Sequence, residues 1–537
     1  MPRPATRLAL RVSLLAFTTA PAAAQTLTPI STGAAASNDE ILVVASYNGP
    51  SNGLSDLAKK QEVPPAQPST PPSEATPERA PANPAARAYP RQADGHGIKL
   101  GGYNLSRWAE DWRLMRDAKK RKGLLDRLKY IPIDAKGDIY LTLSGEVRLR
   151  ADYYAHPGLA DGDYRREDKL RLVGGADLHV GPLRVYGELA HGGLAGHNYG
   201  TPTAKFRDAL FAQQLFGEVS GTIGPVTLGA RYGRQEFTDG PSGLISQKDN
   251  NTIRTPLDGL RTWGQISNVR VDLFDFEQVK LGMEGIGDDV SDHDTRFSGI
   301  TTGVVLANSK TRKLFLDPFV WRERNAKLRW GSVTGREVRR YYGARLWGSY
   351  DDLTLDWTIA HQSGDFNGRD ISAWNVFAAQ TYLLDKKGLA PKIGVHFDYG
   401  SGGGSYGNGT LHASKTITAG SVAYSYQGAL SPTNLFQVSP NLTVSPTKTL
   451  DVTAEYQSSW RVSETDAIYR GAGTAYAGSQ LLAGSHVGDA VHLQASWKIT
   501  PRLSLIARYE YFAGGEVLDQ LGYADSHYLG SWLSFRF

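Results

Sequence analysis

Hydrophobic and polar residues alternate along most of the chain after Tyr140. In the stretch YLTLSGEVRLRADYY, the leucines and Val147 occupy one set of alternate positions, and Glu146, Arg148 and Arg150 occupy the other set. Side chains of a β-strand point to opposite faces with a period of two, so such a strand has one apolar face and one charged face. Similar segments recur up to the C-terminus. The chain is therefore predicted to consist mainly of β-strands.

Two architectures accept this pattern. A soluble sandwich packs its apolar faces together, whereas a membrane barrel turns them to lipid and keeps the polar faces in a water-filled lumen. The segments reach the ~10 residues that a tilted strand needs to cross a bilayer. Tyr and Trp recur near their ends, as at Tyr350 and Trp460, and Tyr153 and Tyr154 are expected to mark the membrane boundary. The last strand, YLGSWLSFRF, ends in Phe537 and resembles the terminal signature of bacterial outer-membrane proteins. We therefore predict an all-β fold, a transmembrane antiparallel β-barrel.

The size of the barrel follows from the number of alternating segments. They amount to roughly sixteen to eighteen strands, a size at which a barrel encloses an aqueous channel unless loops narrow it. Short turns, such as the one at Gly181, are expected at the periplasmic end. Longer segments are expected outside the cell, at Gly192–Asp208, Thr238–Asp258 and Thr465–Gly488, and Gly400–Gly409 is interpreted as a flexible outer loop.

The N-terminus carries the features of an export signal. Arg3, Arg7 and Arg11 precede a short apolar run and a group of small residues, so residues 1–24 are predicted to be a secretory signal peptide. Its removal lowers the formal net charge of +5 by three. The mature protein is therefore nearly neutral, and any electrostatic selectivity has to come from local clusters of charge.

The segments that precede the barrel differ from it in composition. Nine of the 27 prolines lie between residues 63 and 91, and residues 25–95 are predicted to be a disordered, Pro-rich leader. A short periplasmic helical segment is expected at residues 96–135, and the outer-membrane barrel at residues 136–537.

One amphipathic helix is predicted within this helical segment. Trp108, Trp112 and Met115 recur at helical spacing, and Ser106 is a candidate N-cap. The favoured interpretation is a short helix that packs against the end of the barrel. Because its apolar face is small, a role at the membrane surface is the less favoured alternative.

Composition excludes several classes of function. The absence of cysteine excludes a disulfide framework, thiol catalysis and cysteine metal sites. The sequence shows no set of Ser, His and acidic residues suited to nucleophilic catalysis, so no catalytic residue is proposed and the chain is predicted not to be an enzyme. No cofactor, metal ion or nucleic acid is predicted as a ligand. A barrel that serves as an enzyme or an adhesin is kept as an alternative from a different class.

The predicted polar faces are rich in arginine, whose fixed charge and planar fork suit it to carboxylates. Rings of basic residues are one way in which pores select anions. Candidate pore-lining residues from the strand faces are Glu146, Arg148, Arg150, Arg171, Arg231 and Arg345. For any single arginine, pairing with a neighbouring carboxylate is a better interpretation than substrate contact. Taken together, the arginines predict a lumen that favours anions.

Three ordered motifs resemble the alginate export family of outer-membrane barrels. The first covers Trp108–Tyr154. The second runs from RYGRQEF, which begins at Arg231, through GLISQKD to IRTPLDGLR, which ends at Arg261. The third is Asn434–Tyr469, with a WR pair and a D-x-IY tail. The similarity covers about residues 100–537 and leaves out the Pro-rich leader.

The resemblance implies a barrel of about 18 strands with a narrowed, arginine-rich lumen. It implies passive movement of an anionic polysaccharide such as alginate through the outer membrane of a Gram-negative bacterium. By motif, it adds Arg234, Arg254, Arg261 and Arg461 as lumen-lining or constriction residues. Strand parity puts Arg234 on the face opposite Arg231, so a bulge or a strand end is expected at this position.

The sequence leaves the direction of transport open. The alternative to export is a general or substrate-specific uptake porin for small anions or oligosaccharides. The expected partners are an anionic polysaccharide or oligosaccharide, outer-membrane lipid and lipopolysaccharide, and the barrel-assembly machinery, through the strand that ends in Phe537. Periplasmic export components are further candidate partners.

Overall fold

Alternating apolar and polar residues form long antiparallel strands that close into a barrel of 18 strands. The computed structural model describes Tyr89 and residues 103–237, 240–418 and 423–537. The chain divides into two units, Met1–Asn38 and Asp39–Phe537, and all described residues belong to the second. The predicted signal peptide lies outside the described residues, as does the predicted leader apart from Tyr89.

The strands are numbered in chain order. They are β1 Ile131–Pro132, β2 Ile139–Tyr154, β3 Arg165–Val180, β4 Leu183–His197, β5 Asp208–Ile223, β6 Val226–Gln235, β7 Leu257–Ile266, β8 Val269–Lys280, β9 Val290–Asn308, β10 Arg312–Trp330, β11 Val333–Tyr350, β12 Leu353–Phe366, β13 Arg369–Leu383, β14 Lys392–Gly400, β15 Leu435–Thr447, β16 Leu450–Trp460, β17 Tyr469–Arg470, β18 Thr474–Ala475, β19 His486–Lys498, β20 Leu503–Gly514 and β21 Ser526–Arg536. The barrel consists of β2–β16 and β19–β21, while β17 and β18 form a two-residue ribbon within a loop.

Each barrel strand pairs with its neighbours in sequence, and β21 pairs with β2 to close the barrel. The register at the closure runs from the Glu146 and Arg536 pair to the Tyr154 and Tyr528 pair. Phe537 extends it, because its backbone exchanges hydrogen bonds of 2.9 and 3.0 Å with Gly145. Closure leaves no open sheet edge, and the predicted all-β barrel of about 18 strands is confirmed.

The two faces of β2 have the predicted polarity. Val147 and Leu149 are exposed on the outer face, whereas Glu146 and Arg150 are buried on the inner face. Tyr154 had been expected, together with Tyr153, to mark the membrane boundary. It is instead fully buried on the inner face, because strict alternation along the strand separates it from the exposed Tyr153.

A lysine on the outer face of β2 should destabilise the barrel. Leu149 pairs with Leu170 and Leu533 in the middle of the apolar band, so Leu149→Lys is expected to lower the free energy of unfolding by about 2–4 kcal/mol. Urea titration of the protein in lipid vesicles measures this change. Leu149→Met is the matched control and should stay within about 1.5 kcal/mol of the wild type. A lysine variant with the same free energy of unfolding as the wild type would mean that this face does not contact lipid.

Helical structure in the described residues is confined to short segments. These are 3₁₀ turns at Arg107–Ala109, Arg113–Arg116, Ala118–Lys120, Pro157–Leu159, Ile286–Asp288, Gly471–Gly473 and Ser479–Leu481, and two α-helices, α1 at Leu124–Arg127 and α2 at Glu516–Gln520. None of the helices in the described ranges is long and apolar enough to cross a membrane.

The segment that precedes the barrel differs from the single amphipathic helix that was predicted. It consists of three 3₁₀ turns followed by α1, and the Ser106 side chain does not cap the first turn. Ser106 is instead hydrogen-bonded to Glu236, 3.0 Å away, and Arg107 binds carboxylates of the barrel wall. These tertiary contacts outweigh the helical spacing of Trp108 and Trp112.

Tyr89 corrects the prediction for the leader. This residue falls within residues 25–95, which were predicted to be disordered, yet it is buried against Val305, Phe315 and Trp347 of the barrel. An aromatic ring that buries its surface in this way compensates for the entropy of ordering its backbone.

The hydrophobic core lies inside the barrel. Lumen-facing aromatic residues of β8–β11, among them Phe319 and Trp321, pack against Leu244 and Ile245 of the β6–β7 loop, residues 236–256. The prediction of an external loop at Thr238–Asp258 is therefore wrong, and the lumen is not polar throughout. A loop that folds inward needs apolar partners, and the inner face of these strands supplies them.

Candidate functional site

The predicted site residues Glu146, Arg148, Arg150, Arg171, Arg231, Arg261 and Arg345 lie on the inner face of the barrel, and Arg254 lies in the β6–β7 loop. They do not form a ring of solvated cations. Each of these arginines is hydrogen-bonded to a carboxylate or a backbone carbonyl of the chain. For single arginines, the structure therefore agrees with the interpretation as paired charges rather than with the interpretation as free contacts for substrate.

Four of these arginines contact the β6–β7 loop from the barrel wall, and Arg254 makes contacts within the loop. Arg148, Arg171 and Arg254 converge on Asp249, with nitrogen to carboxylate distances of 2.9, 2.7 and 2.7 Å. Arg150 donates to the Asn250 carbonyl at 2.9 Å. On the opposite wall, Arg345 donates to the carbonyl of Gly240 at 3.3 Å. The arginines thus fix an inward-folded loop in the lumen.

Electrostatics favour this arrangement at neutral pH. Burial alone would raise the pKa of the Asp249 carboxyl, but Arg148, Arg254 and Arg171 hold it well below its usual range. A carboxyl whose pKa is lowered by folding contributes stability above its unfolded pKa and loses it only as the pH falls through the folded pKa. The loop should consequently remain fixed at neutral and mildly acidic pH.

A second loop, the β14–β15 loop (residues 401–434), also enters the lumen. The Ser425 hydroxyl and the Gln427 amide donate to Glu510 on the inner face of β20, at 2.7 and 2.8 Å. The two inward loops meet where Ile417 N–H donates to the Leu244 carbonyl at 2.9 Å. Together they narrow the channel, as loops do in wide barrels.

The predicted flexible outer loop at Gly400–Gly409 is held by specific contacts. Arg369 donates to the carbonyls of Gly404 and Gly409, and Gly403 N–H donates to Asp466 at 2.7 Å. Three of its glycines, Gly400, Gly402 and Gly404, allow a close approach of neighbouring atoms that a side chain would block. A Cβ at Gly404, for example, would lie 2.3 Å from the Thr410 carbonyl.

Arg234 does not belong to the lumen set. It pairs with Asp258 at 2.9 Å, and its neighbour in the sheet register is Leu215, which is exposed on the outer face. It lies next to the last residue of β6, so the expectation of a strand end is correct, whereas the lumen-lining role implied by the motif is not supported by its position.

Arg461 lies just after β16 and pins the β16–β19 loop (residues 461–485). Its guanidinium donates to the carbonyls of Ser479, Leu482 and Gly484, and its side chain is buried. Several carbonyls around one guanidinium fix the path of the loop across the channel mouth.

Arg461→Lys is expected to loosen the β16–β19 loop. An ammonium has three rotatable donors in place of the planar fork, so fewer of the carbonyls are satisfied and about 1–3 kcal/mol of local stability is lost. The rate of limited proteolysis within residues 461–485 should rise accordingly. Arg166→Lys, at a half-exposed position on β3, is the matched control and should leave this rate unchanged. Equal cleavage of both variants would show that Arg461 does not hold the loop.

The chain segment before the barrel closes part of the opposite end of the lumen, where the connections between strands are mostly short turns. We call this the short-turn end. Arg107 bridges two lumen carboxylates, with Nε 2.8 Å from Glu188 and Nη1 2.5 Å from Glu146. Burial opposes the charge of Arg107, but these carboxylates raise the pKa of its guanidinium well above the ordinary value. The pair of carboxylates therefore anchors the segment within the barrel.

A cavity of about 1080 Å³ lies between this segment and the barrel wall. It is lined by residues of the segment, by the turn at Gly181, and by residues of β2–β8. Arginine, carboxylate and aromatic side chains share its surface. Such a mixture suits a ligand that has both charged groups and apolar faces.

Sequence reasoning missed two residues that organise the lumen. Asp249 lies within GLISQKD, inside the second motif that carried the family resemblance, and Arg107 lies directly before the first motif, Trp108–Tyr154. Neither lies on an alternating strand, so strand parity gave no reason to single them out. Their position within or directly beside these motifs was the available signal.

Comparisons with known proteins were made by family model, by sequence and by structure. A family model described as alginate export matches residues 184–531. No match was found among curated proteins. Among solved structures, Acinetobacter baumannii OccAB1 is 14% identical with a TM-score of 0.49, and the match covers 74% of this chain and 96% of that one. Pseudomonas aeruginosa OccK2 (OpdF), solved in complex with glucuronate, is 11% identical with a TM-score of 0.47, and the match covers 74% and 98%.

Proposed function

Since the chain belongs to the alginate export family, we propose that it conducts an acidic polysaccharide or oligosaccharide, such as alginate, by passive, anion-selective transport. The chain is an outer-membrane channel of a Gram-negative bacterium and not an enzyme. The proposal concerns what passes through it and how the lumen selects.

The observation that carries the proposal is the fixed arginine wall of the lumen. Arg148 and Arg171 project inward from the neighbouring strands β2 and β3, and Arg231 and Arg261 from the neighbouring strands β6 and β7. Each guanidinium is held by protein acceptors. A guanidinium held in place keeps its charge and loses little entropy when a passing carboxylate approaches. A carboxylate-bearing polymer in the lumen thus moves in the field of a series of fixed positive charges.

The carboxylates that pair with these arginines limit the anion selectivity of the lumen. The carboxylates that hold the arginines, such as Asp249 and Asp272, reduce the net charge of the lumen. We therefore expect a clear but moderate preference for anions, combined with recognition of saccharide carboxylates by the arginine forks.

Block of single-channel current tests this function. An oligouronate added to the protein in planar bilayers should interrupt the current, because its carboxylates dwell at the arginines, whereas a neutral oligosaccharide of the same length should block much less. The neutral sugar controls for size. Equal block by both sugars would overturn recognition of the acidic group, and absence of block by either would overturn saccharide transport.

A further inference from the structure

The cavity at the short-turn end contains features that the transport path alone does not require. Its volume of about 1080 Å³ lies just above the range for small-molecule sites, roughly 300–1,000 Å³. It is bounded on one side by Trp108 of the segment before the barrel and on the other by Arg231 and Trp263 of the wall. Two separate parts of the chain therefore build one enclosure.

Arg231 has an unused donor in the wall of this cavity. Its Nε and Nη2 donate to Glu218 at 2.8 and 2.5 Å, and the residue is 4% exposed. Its Nη1 has no hydrogen-bond partner among the described residues. A buried donor without a partner is unfavourable, and a carboxylate oxygen is the acceptor that best relieves it. Trp108 covers this guanidinium, with its ring centroid 3.9 Å from Cζ.

Trp263 provides the second element of a site. It faces inward beside Arg231 and is only partly buried, and its ring lies across Gly229 of the neighbouring strand. A Cβ at Gly229 would come within 2.1 Å of that ring, so glycine is required there for the ring to lie flat against the wall. A flat aromatic ring is a surface on which the C–H face of a pyranose packs.

The exposed rim of the cavity carries more basic than acidic side chains, the latter being Asp111 and Asp138 beside Arg113 and Arg116. Arg113 and Arg116 line it, and Lys119, Lys120 and Lys122 follow in the same exposed segment. Clustered exposed cations raise the local concentration of an anionic ligand and speed its association, an effect that salt weakens.

The geometry points to a uronate-binding vestibule at the short-turn end. In it a sugar ring packs on Trp263 while its carboxylate binds Nη1 of Arg231 as the Trp108 ring moves aside. The inference deepens the proposed function and rests on it, since it names the place where an acidic saccharide first binds.

Equilibrium binding to the full chain in detergent micelles tests the vestibule. A short mannuronate oligomer, titrated calorimetrically, should bind Trp263→Ala and Arg231→Lys about tenfold more weakly than the wild type. Gly229→Ala should weaken binding similarly, because it displaces the Trp263 ring without removing a cavity group. Trp263→Phe should restore most of the affinity. Trp374→Ala, on the exposed outer face, is the control and should bind like the wild type.

Block from each side of a planar bilayer supplies the second readout. Because the chain has no cysteine, Lys387→Cys at an exposed short-turn position gives a single thiol that reports orientation with an impermeant reagent. The oligomer should block at lower concentration from the short-turn side. Wild-type affinity in the Trp263 and Arg231 variants, or equal block from both sides, would overturn the vestibule while leaving the channel selective. A wild-type channel that binds no oligouronate would overturn the proposed function as well.

Discussion

Asp249→Ala is expected to release the β6–β7 loop from the wall and to increase the single-channel conductance. Asp249 is the shared acceptor of Arg148, Arg171 and Arg254. Removing one partner of a buried ion pair costs about 3–5 kcal/mol, because the remaining charges are left unpaired. A change of about 3 kcal/mol shifts the ratio of fixed to released loop roughly 150-fold.

The same variant should also increase the preference for anions. Three guanidiniums lose a shared negative partner, so the net charge of this part of the lumen becomes more positive. Conductance and reversal potential are therefore expected to change together, which distinguishes release of the loop from general damage to the barrel.

Two variants serve as controls for this experiment. Asp249→Asn keeps the shape and part of the hydrogen bonding, so its effect should be smaller than that of alanine. Asp161→Ala removes a carboxylate whose side chain is 90% exposed, and it should leave conductance unchanged. An Asp249→Ala channel with the conductance and selectivity of the wild type would mean that the arginines do not hold the loop.

Arg107→Ala is expected to destabilise the protein by about 3–5 kcal/mol. Arg107 supplies Nε and Nη2 to Glu188, at 2.8 and 2.9 Å, and Nη1 to Glu146. Truncation leaves both buried carboxylates without this partner and detaches the segment before the barrel. Urea unfolding followed by tryptophan fluorescence measures the loss, and faster proteolysis of residues 103–130 should accompany it.

Arg113→Ala is the matched control for Arg107→Ala. Arg113 lies in the same segment and pairs with Asp111, but its side chain is 59% exposed. An exposed pair of this kind contributes only about 0–1 kcal/mol. An equal decrease in the free energy of unfolding in both variants would contradict this account. The segment would then be held by its contacts as a whole rather than by the bridge from Arg107 to the two lumen carboxylates.

Strand parity explains why much of the barrel could be predicted from the sequence. Along β2, alternation alone identified Val147 and Leu149 as outward and Glu146 and Arg150 as inward, and the structure has the same assignment. A one-residue shift would exchange the two faces, so a long alternating strand determines its own orientation.

The same reasoning fails where both faces are apolar. On β10, Phe319 and Trp321 are buried in the lumen while Val320 between them is exposed on the outer face. Alternation between apolar and polar residues disappears in such a stretch. Apolar residues are tolerated on the lumen face of β10 because the inward β6–β7 loop covers them. This loop is far from β10 in the sequence, so the local pattern does not reveal it.

The ion pairs between lumen arginines and loop carboxylates could not be predicted either, because the partners are distant in the sequence. Arg148 and Asp249 are 101 residues apart in the chain, and no local pattern shows that the β6–β7 loop folds inward rather than outward. The motifs that carried the family resemblance did contain the loop and also included Arg254, which lies in it, and Arg261, which lies on the inner face of β7. They were less informative for Arg234, whose partner Asp258 lies beside it in the sheet register and away from the lumen arginines.

The reversal potential of the wild-type channel in a salt gradient tests the central claim most directly. Across a planar bilayer with unequal KCl concentrations, the arginine wall predicts a potential whose sign shows that chloride is more permeant than potassium, at ionic strengths where screening is incomplete. A potential that indicates cation preference, or none at all, would contradict an anion-selective lumen.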